Sequence, residues 1–259
     1  LQKYLEEFKV RIVLTAHPTQ FYPGSVLGII TDLTEAIREN DLLRINDLLA
    51  QLGKTPFFKH EKPSPFDEAV SLIWYLENVF YKSFGGIYDY IQQNIFDGEQ
   101  IENNIINIGF WPGGDRDGNP FGTPEITLKV ADRLRLSIIK NYYRNVRQLK
   151  RKLTFQGVED RMGNLERELY SIITNEASDL TLKTFVSELK AVKQIIIDKH
   201  QSLYVDELNS LINKTHLFGF HFANLDIRQD SRKHEQFFND MVNALLESGS
   251  AIFLKNHHE

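Results

Sequence analysis

The chain holds 259 residues, of which 42% are hydrophobic and 25% charged, with no cysteine and a formal net charge of −5. That length fits one large domain or two modest ones, and the composition excludes a disordered chain. Without cysteine there is no disulfide framework, Fe–S cluster, thiolate zinc site or cysteine nucleophile, and the acidic balance, with an isoelectric point near 5.9, argues against nucleic acid as a partner.

The opening Leu1-Gln2-Lys3-Tyr4-Leu5-Glu6-Glu7 lacks the apolar core of a leader peptide. It reads as the middle of a helix, so the chain is expected to begin inside a longer protein. Residues 11–17 are rich in β-branched and apolar side chains and are closed by Pro18, which biases His17 away from helical geometry. They predict a strand. Its Ile12, Leu14 and Ala16 share one face, and Thr15 and His17 the other. Val26, Ile29, Ile30, Leu33 and Ile37 then recur at helical spacing.

A second strand is expected at about 105–111, closed by Pro112-Gly113-Gly114. Beyond it, Thr123 can cap a helix with Pro124 at its first position and Glu125 next. Ile126, Val130, Leu134 and Ile138 follow every four residues. Arg144, Arg147, Lys150, Arg151 and Lys152 crowd one stretch, read as a solvated helix face. Leu182, Phe185, Val186, Leu189, Val192 and Ile196 mark another long helix. Residues 218–228 read as a third strand, with Leu225 and Ile227 on one face and Asn224, Asp226 and Arg228 on the other. Phe238, Met241 and Leu245 mark a last helix. No run of 18 apolar residues is present, so no membrane span is expected. Strands separated by long helical stretches predict a mainly α chain with a few parallel strands, a partial helix-rich α/β barrel of TIM type. The whole of 1–259 is taken as a single partial domain.

Three clusters carry possible chemistry, each at the carboxyl end of an expected strand. In Thr15-Ala16-His17-Pro18-Thr19-Gln20, a histidine held by proline is a proton carrier near neutral pH. In Trp111-Pro112-Gly113-Gly114-Asp115-Arg116-Asp117-Gly118-Asn119-Pro120, paired glycines open backbone N–H groups to an anion, and Arg116 between two aspartates can be oriented by them. The Asp115, Asp117, Asn119 spacing suggests a calcium loop, but Pro120 and Ile126 stand where glycine and glutamate are required. In Leu225-Asp226-Ile227-Arg228-Gln229-Asp230-Ser231, Arg228 can grip a phosphate or carboxylate with both arms of its fork. Each cluster alone has a plain structural explanation: a core histidine, a salt-bridged turn, a strand-end arginine paired with a helix carboxylate. Together they point to an α/β site for an anionic substrate.

The same segments, with Pro63-Ser64-Pro65-Phe66-Asp67-Glu68-Ala69 between the first two, occur in the order found in phosphoenolpyruvate carboxylases, and the chain resembles that family over most of its length. The resemblance implies a helix-dominated barrel and a cytoplasmic enzyme that joins bicarbonate to phosphoenolpyruvate, giving oxaloacetate and phosphate. It implies His17 as the catalytic histidine, Arg228 as a substrate-phosphate ligand, and a substrate-binding place for Arg116 in the loop 113–120. Gln20 and Lys62 stand where the family often has glutamate and arginine. The family's Mg²⁺ or Mn²⁺ is expected in the parent enzyme on ligands outside this chain. The chain is accordingly expected to be the amino-terminal part of the barrel, inactive alone and prone to self-association, in a parent that forms a homo-tetramer. The competing reading is a non-catalytic helical interaction module that keeps the histidine and arginine motifs.

Overall fold

The structure is a computed structural model that describes residues 2–15, 23–57, 63–99, 105–116 and 121–247. After a short helix α1 (Gln2–Glu7), strand β1 (Val10–Leu14) pairs in parallel with β2 (Ile106–Phe110), and β2 pairs in parallel with β3 (Asn224–Leu225). The order is β1-β2-β3, and Leu14 lies opposite Phe110, which lies opposite Leu225. The expected class therefore holds: the chain is mainly helical with a parallel sheet. Among the described residues that sheet has three strands and does not close into a barrel.

The chain divides into two compact units, one formed by residues 16–64 and the other by the remainder. In the first, α2 (Gly24–Glu39) and α3 (Leu42–Lys54) pack as a helical pair around Ile29, Ala36 and Leu48. Asn40 turns the chain with φ 55°, and the Asp41 carboxylate accepts the Arg44 N–H at 3.0 Å to cap α3. Val26 and Ile29 are buried as their spacing predicts, whereas Ile30 and Ile37 of the same run are exposed. Ala36 takes the inward position instead.

In the second unit, α4 (Pro65–Tyr75) passes through a π-helical turn (Leu76–Phe80) into α5 (Tyr81–Ile95). The loop after β2 leads to α6 (Pro124–Lys150), followed by α7 (Glu159–Ile173), α8 (Leu182–Lys199), α9 (Val205–Phe218) and, after β3, α10 (Ser231–Glu247). α6 starts as its sequence predicts. The Thr123 hydroxyl accepts the Ile126 N–H at 3.4 Å, and Pro124 occupies the first turn, where its missing N–H costs nothing. Val130, Leu134 and Ile138 are fully buried or nearly so, as are Phe185, Leu189, Val192 and Ile196 of α8. The basic stretch is a solvated face as expected: Lys150 Nζ donates to Glu166 at 2.8 Å, and Lys152 Nζ to Glu207 at 2.7 Å. α10 forms where expected, but its apolar stripe of Phe238, Met241 and Leu245 is exposed.

The third strand is much shorter than 218–228. α9 continues through Phe218 and ends at Gly219, with φ 55°, whose N–H donates to the Thr215 carbonyl at 3.0 Å. Phe218 and Phe222 both plug the core beside Tyr81, with ring centroids 5.4 and 6.3 Å from it. Residues 218–222, expected in the strand, are thus a helix end and turn inserted into the core. Two buried tyrosines fasten this region. The Tyr142 hydroxyl donates to the Gly219 carbonyl at 2.8 Å, and that of Tyr81 to Asn145 at 2.6 Å. Burial pushes both phenols well above their ordinary pKa, with Tyr81 adding to the effect on Tyr142. Tyr142→Phe should cost roughly 1 to 2 kcal/mol, because the buried Gly219 carbonyl loses a donor. Urea unfolding checks this, and an unchanged midpoint would mean that the bond contributes nothing.

α5 and α9 meet through a polar seam. Asp89 accepts from the Ser210 hydroxyl at 2.6 Å and from the Asn213 amide at 2.7 Å. Lys214 Nζ donates to Ser210 at 3.1 Å and lies over the Tyr81 ring; burial lowers its pKa, against the pull of Asp89. The sheet itself has two unlike faces. Ile12, Leu14, Ile106, Ile108, Phe110 and Leu225 belong to the helix-covered core. Arg11, Asn107, Asn224 and Asp226 are polar neighbours: Asn224 donates to Asn107 at 3.0 Å, and Arg11 forms an ion pair with Asp226. Gly109 leaves room for that pair, since a Cβ there would lie 2.7 Å from Asp226 Oδ2 and 3.1 Å from Arg11 Nε.

Candidate anion site at the strand ends

Because the three strands are parallel, their carboxyl ends share one rim. The Trp111 N–H donates to the Leu14 carbonyl at 3.0 Å, so the loop after β2 starts beside the end of β1. The loop then folds back: the N–H groups of Gly114 and Asp115 both reach the Trp111 carbonyl at 2.9 Å. This turn needs its glycines. Gly113 has φ 81°, and a Cβ there would lie 2.5 Å from Val130 Cγ2. At Gly114 a Cβ would meet the Asp226 carbonyl oxygen at 2.2 Å.

That close approach lets the loop pair with the chain beyond β3. The Arg228 N–H donates to the Gly114 carbonyl at 3.0 Å, and the Arg116 N–H donates to the Arg228 carbonyl at 2.9 Å. Side chains reinforce the clasp. Arg228 Nη1 donates to Asp115 Oδ2 at 2.9 Å, and its guanidinium lies 4.2 Å from the centre of the Trp111 ring. Both partners of the ion pair keep about a third or more of their side-chain surface exposed, 40% for Arg228 and 33% for Asp115. Arg228 therefore stays accessible while its direction is set by a carboxylate, a ring and two backbone bonds.

Arg116 turns elsewhere. Its Nη2 donates to the Thr127 hydroxyl at 2.8 Å, and Thr127 donates in turn to the Gly113 carbonyl at 2.6 Å. The expectation that flanking aspartates orient Arg116 is corrected as far as Asp115 is concerned, since Asp115 faces Arg228. Thr127, one turn into α6, takes that part. Glu125 lies in the same helix start. Its carboxyl is held below its ordinary pKa, first by its own backbone N–H and next by the Thr123 hydroxyl, with Arg116 adding a smaller pull. Arg116 and Arg228 bring two guanidinium groups to the rim, a chemistry suited to an anion.

The structure thus brings Arg228 and the start of the loop together. His17 and Gln20 lie outside the described residues, as do Asp117, Gly118, Asn119 and Pro120 of the loop, and Lys62. Of the other matched segment, Pro65 starts α4, with Asp67 and Glu68 in its first turn.

Comparison with known proteins settles the relationship. The family model described as phosphoenolpyruvate carboxylase matches residues 1–183 and 164–251. The chain belongs to the phosphoenolpyruvate carboxylase family. It is similar to the phosphoenolpyruvate carboxylases of Shewanella loihica, at 27% identity over 93% of this chain and 33% of the relative, and of Prochlorococcus marinus, at 24% over 95% and 32%. The chain spans about a third of the length of the curated phosphoenolpyruvate carboxylases it matches. Among the described residues, no group of three His, Asp or Glu side chains is placed to hold a metal ion. Among the described residues, Asp115 and Asp226 are each paired with an arginine. This donor set does not fit a divalent cation. No described helix is long and apolar enough to cross a membrane.

Sequence reasoning missed three residues at the rim: Trp111 as a platform, Asp115 as the partner of Arg228, and Thr127 as the anchor of Arg116. Only the last carried a local signal, a threonine one turn after a helix cap. The other two depend on a bridge between residues 113 apart in the chain.

Proposed function

We propose that this chain supplies the amino-terminal side of a phosphoenolpyruvate carboxylase active site. The observation that supports it is Arg228, clasped by the loop of Gly114, Asp115 and Arg116 at the shared rim of a parallel sheet, in a chain of that family. In this reading Arg228 binds the phosphate of phosphoenolpyruvate, Asp115 and Trp111 hold the plane of its fork, and Arg116 adds positive charge at the loop. A bicarbonate oxygen bonds to phosphorus as the enol C–O–P link breaks, which gives carboxyphosphate and the enolate of pyruvate. Carboxyphosphate separates into carbon dioxide and phosphate, and the enolate carbon bonds the carbon dioxide to give oxaloacetate. His17 assists that last step. The family's Mg²⁺ or Mn²⁺ acts as a Lewis acid when bound, on ligands outside this chain, so the 259 residues alone are inactive. The extended protein is a cytoplasmic homo-tetramer.

The test is bicarbonate-dependent phosphate release from phosphoenolpyruvate by a polypeptide extended to the length of its relatives. Activity is expected there and not in the 259-residue chain. In the extended protein, His17→Asn should release pyruvate and phosphate in place of oxaloacetate, because cleavage proceeds without carboxylation. A normal oxaloacetate yield from that variant, or steady oxaloacetate production by the 259-residue chain alone, would overturn the reading.

A further inference from the structure

A second basic region lies at the opposite end of the strands. A cleft of about 1150 Å³ opens between the first residues of β1 and β2, the amino-terminal half of α8 and the end of α9. Its lining brings cations from separate elements to one space: Lys9 and Arg11 at β1, and Lys183 and Lys190 on α8. His216 and His221 come from α9 and the turn after it. No carboxylate lines it among the described residues. Arg11 is already engaged by Asp226, whereas Lys9, Lys183 and Lys190 have no carboxylate within ion-pair distance among the described residues.

This concentration of positive charge stands out in a chain whose net charge is −5. Like charges facing one space repel, and a cleft that gathers them attracts anions from solution. The start of α8 adds the positive end of its helix dipole. Asn107, Ser187 and Asn224 offer neutral hydrogen-bonding groups, and Leu182 and Val186 an apolar wall. On β2 the lining residues Ile106 and Asn107 lie about 13 and 10 Å from Phe110 at the rim, and on β3 the cleft reaches Asn224, opposite Gly109. Arg228 and the Trp111, Gly114, Asp115 and Arg116 that clasp it are not among the residues lining the cleft.

We propose that this cleft is a second anion site, for a small molecule carrying two or more carboxylate or phosphate groups. Multivalence follows from the spacing. Lys183 and Lys190 stand seven residues apart on one helix, about 10 Å along its axis, and Lys9 comes from another element. A single anionic group meets one or two of these cations, whereas a ligand with two or three groups engages the set.

Citrate and pyrophosphate titrated calorimetrically into the 259-residue chain at low ionic strength test this, with acetate as the singly charged comparison. We expect citrate, pyrophosphate or both to bind, and acetate to bind at least about tenfold more weakly. Binding by citrate alone identifies a carboxylate site, and by pyrophosphate alone a phosphate site. The double substitution Lys183→Glu and Lys190→Glu should weaken binding by about tenfold or more, while Arg228→Ala changes it by less than about twofold. Both lysines are exposed, so circular dichroism should be unchanged. If the double glutamate variant fails to fold, the paired Lys→Gln variant takes its place, with the same direction expected. No heat up to about 10 mM of either probe, an affinity indifferent to the lysine substitutions, or an equal loss in Arg228→Ala would overturn the proposal.

Discussion

Gly114→Ala is expected to destabilise the chain by about 3 kcal/mol or more, which for a chain of this size lowers Tm by roughly 6 to 12 °C. A Cβ at this position would lie 2.2 Å from the Asp226 carbonyl oxygen and 3.0 Å from its carbonyl carbon. Neither atom belongs to a side chain that can rotate away. The loop and the chain after β3 must then separate, and the bonds from Arg228 N–H to Gly114 and from Arg116 N–H to Arg228 lengthen or break. The Asp115–Arg228 pair goes with them. Gly163, on α7, is the control: a Cβ there meets only the end of Lys150 at 3.9 Å. Gly163→Ala should be neutral or stabilising by up to about 1 kcal/mol, because alanine favours the helix. Thermal unfolding of both variants checks the contrast. A Gly114→Ala protein within about 1 kcal/mol of the parent would mean that the loop is not packed against this strand.

The second large effect concerns Arg228 in the extended polypeptide. Arg228→Ala should reduce kcat/KM for phosphoenolpyruvate by about 100-fold or more, and Arg228→Lys by about tenfold, mostly in KM. Lysine keeps the charge but not the two-armed donor geometry, and it stacks less well on Trp111. The stability loss should stay below about 2 kcal/mol. The Asp115 pair is partly exposed and worth between zero and about 1 kcal/mol, and the contact with the Trp111 ring is worth about 0.5 to 1 kcal/mol. A large kinetic loss with a small stability loss separates substrate binding from a merely structural arginine. Unchanged kinetics at limiting phosphoenolpyruvate would remove Arg228 from the site.

The class of fold was legible because its first two strands are short and rich in β-branched residues, and because long helical stripes follow them. Thr123-Pro124-Glu125 locates the start of α6 without any tertiary information. The third strand was misjudged in length because two forces write the same letters. Phe218, Phe220 and Phe222 alternate as strand residues do, yet two of them are buried by a helix end and a positive-φ turn. Burial within helices was legible where the stripe is continuous, as in α8. It failed in α2, where the inward position falls to Ala36 rather than to the larger Ile37.

At the site, the motif residues were legible and their partners were not. Alternation placed Asp226 and Arg228 on the polar face of the strand, but nothing local to Arg11 announces Asp226, 215 residues away. Nor does the sequence around Asp115 tell which arginine it serves, since Arg116 is its neighbour and Arg228 its partner. Such pairings follow from the register of parallel strands, and register is a property of the assembled sheet.

Arg228 is ordered before any anion reaches it. An arginine side chain that is loose in solution loses rotamer entropy on the order of 2 kcal/mol when it grips a ligand. Here much of that loss has already occurred in folding, since the carboxylate of Asp115 and the ring of Trp111 hold the guanidinium from two sides. In the proposed role, a phosphate would meet a fork that Asp115 and Trp111 already aim. Capture should carry a small entropic penalty and depend on heat more through desolvation than through the freezing of the side chain.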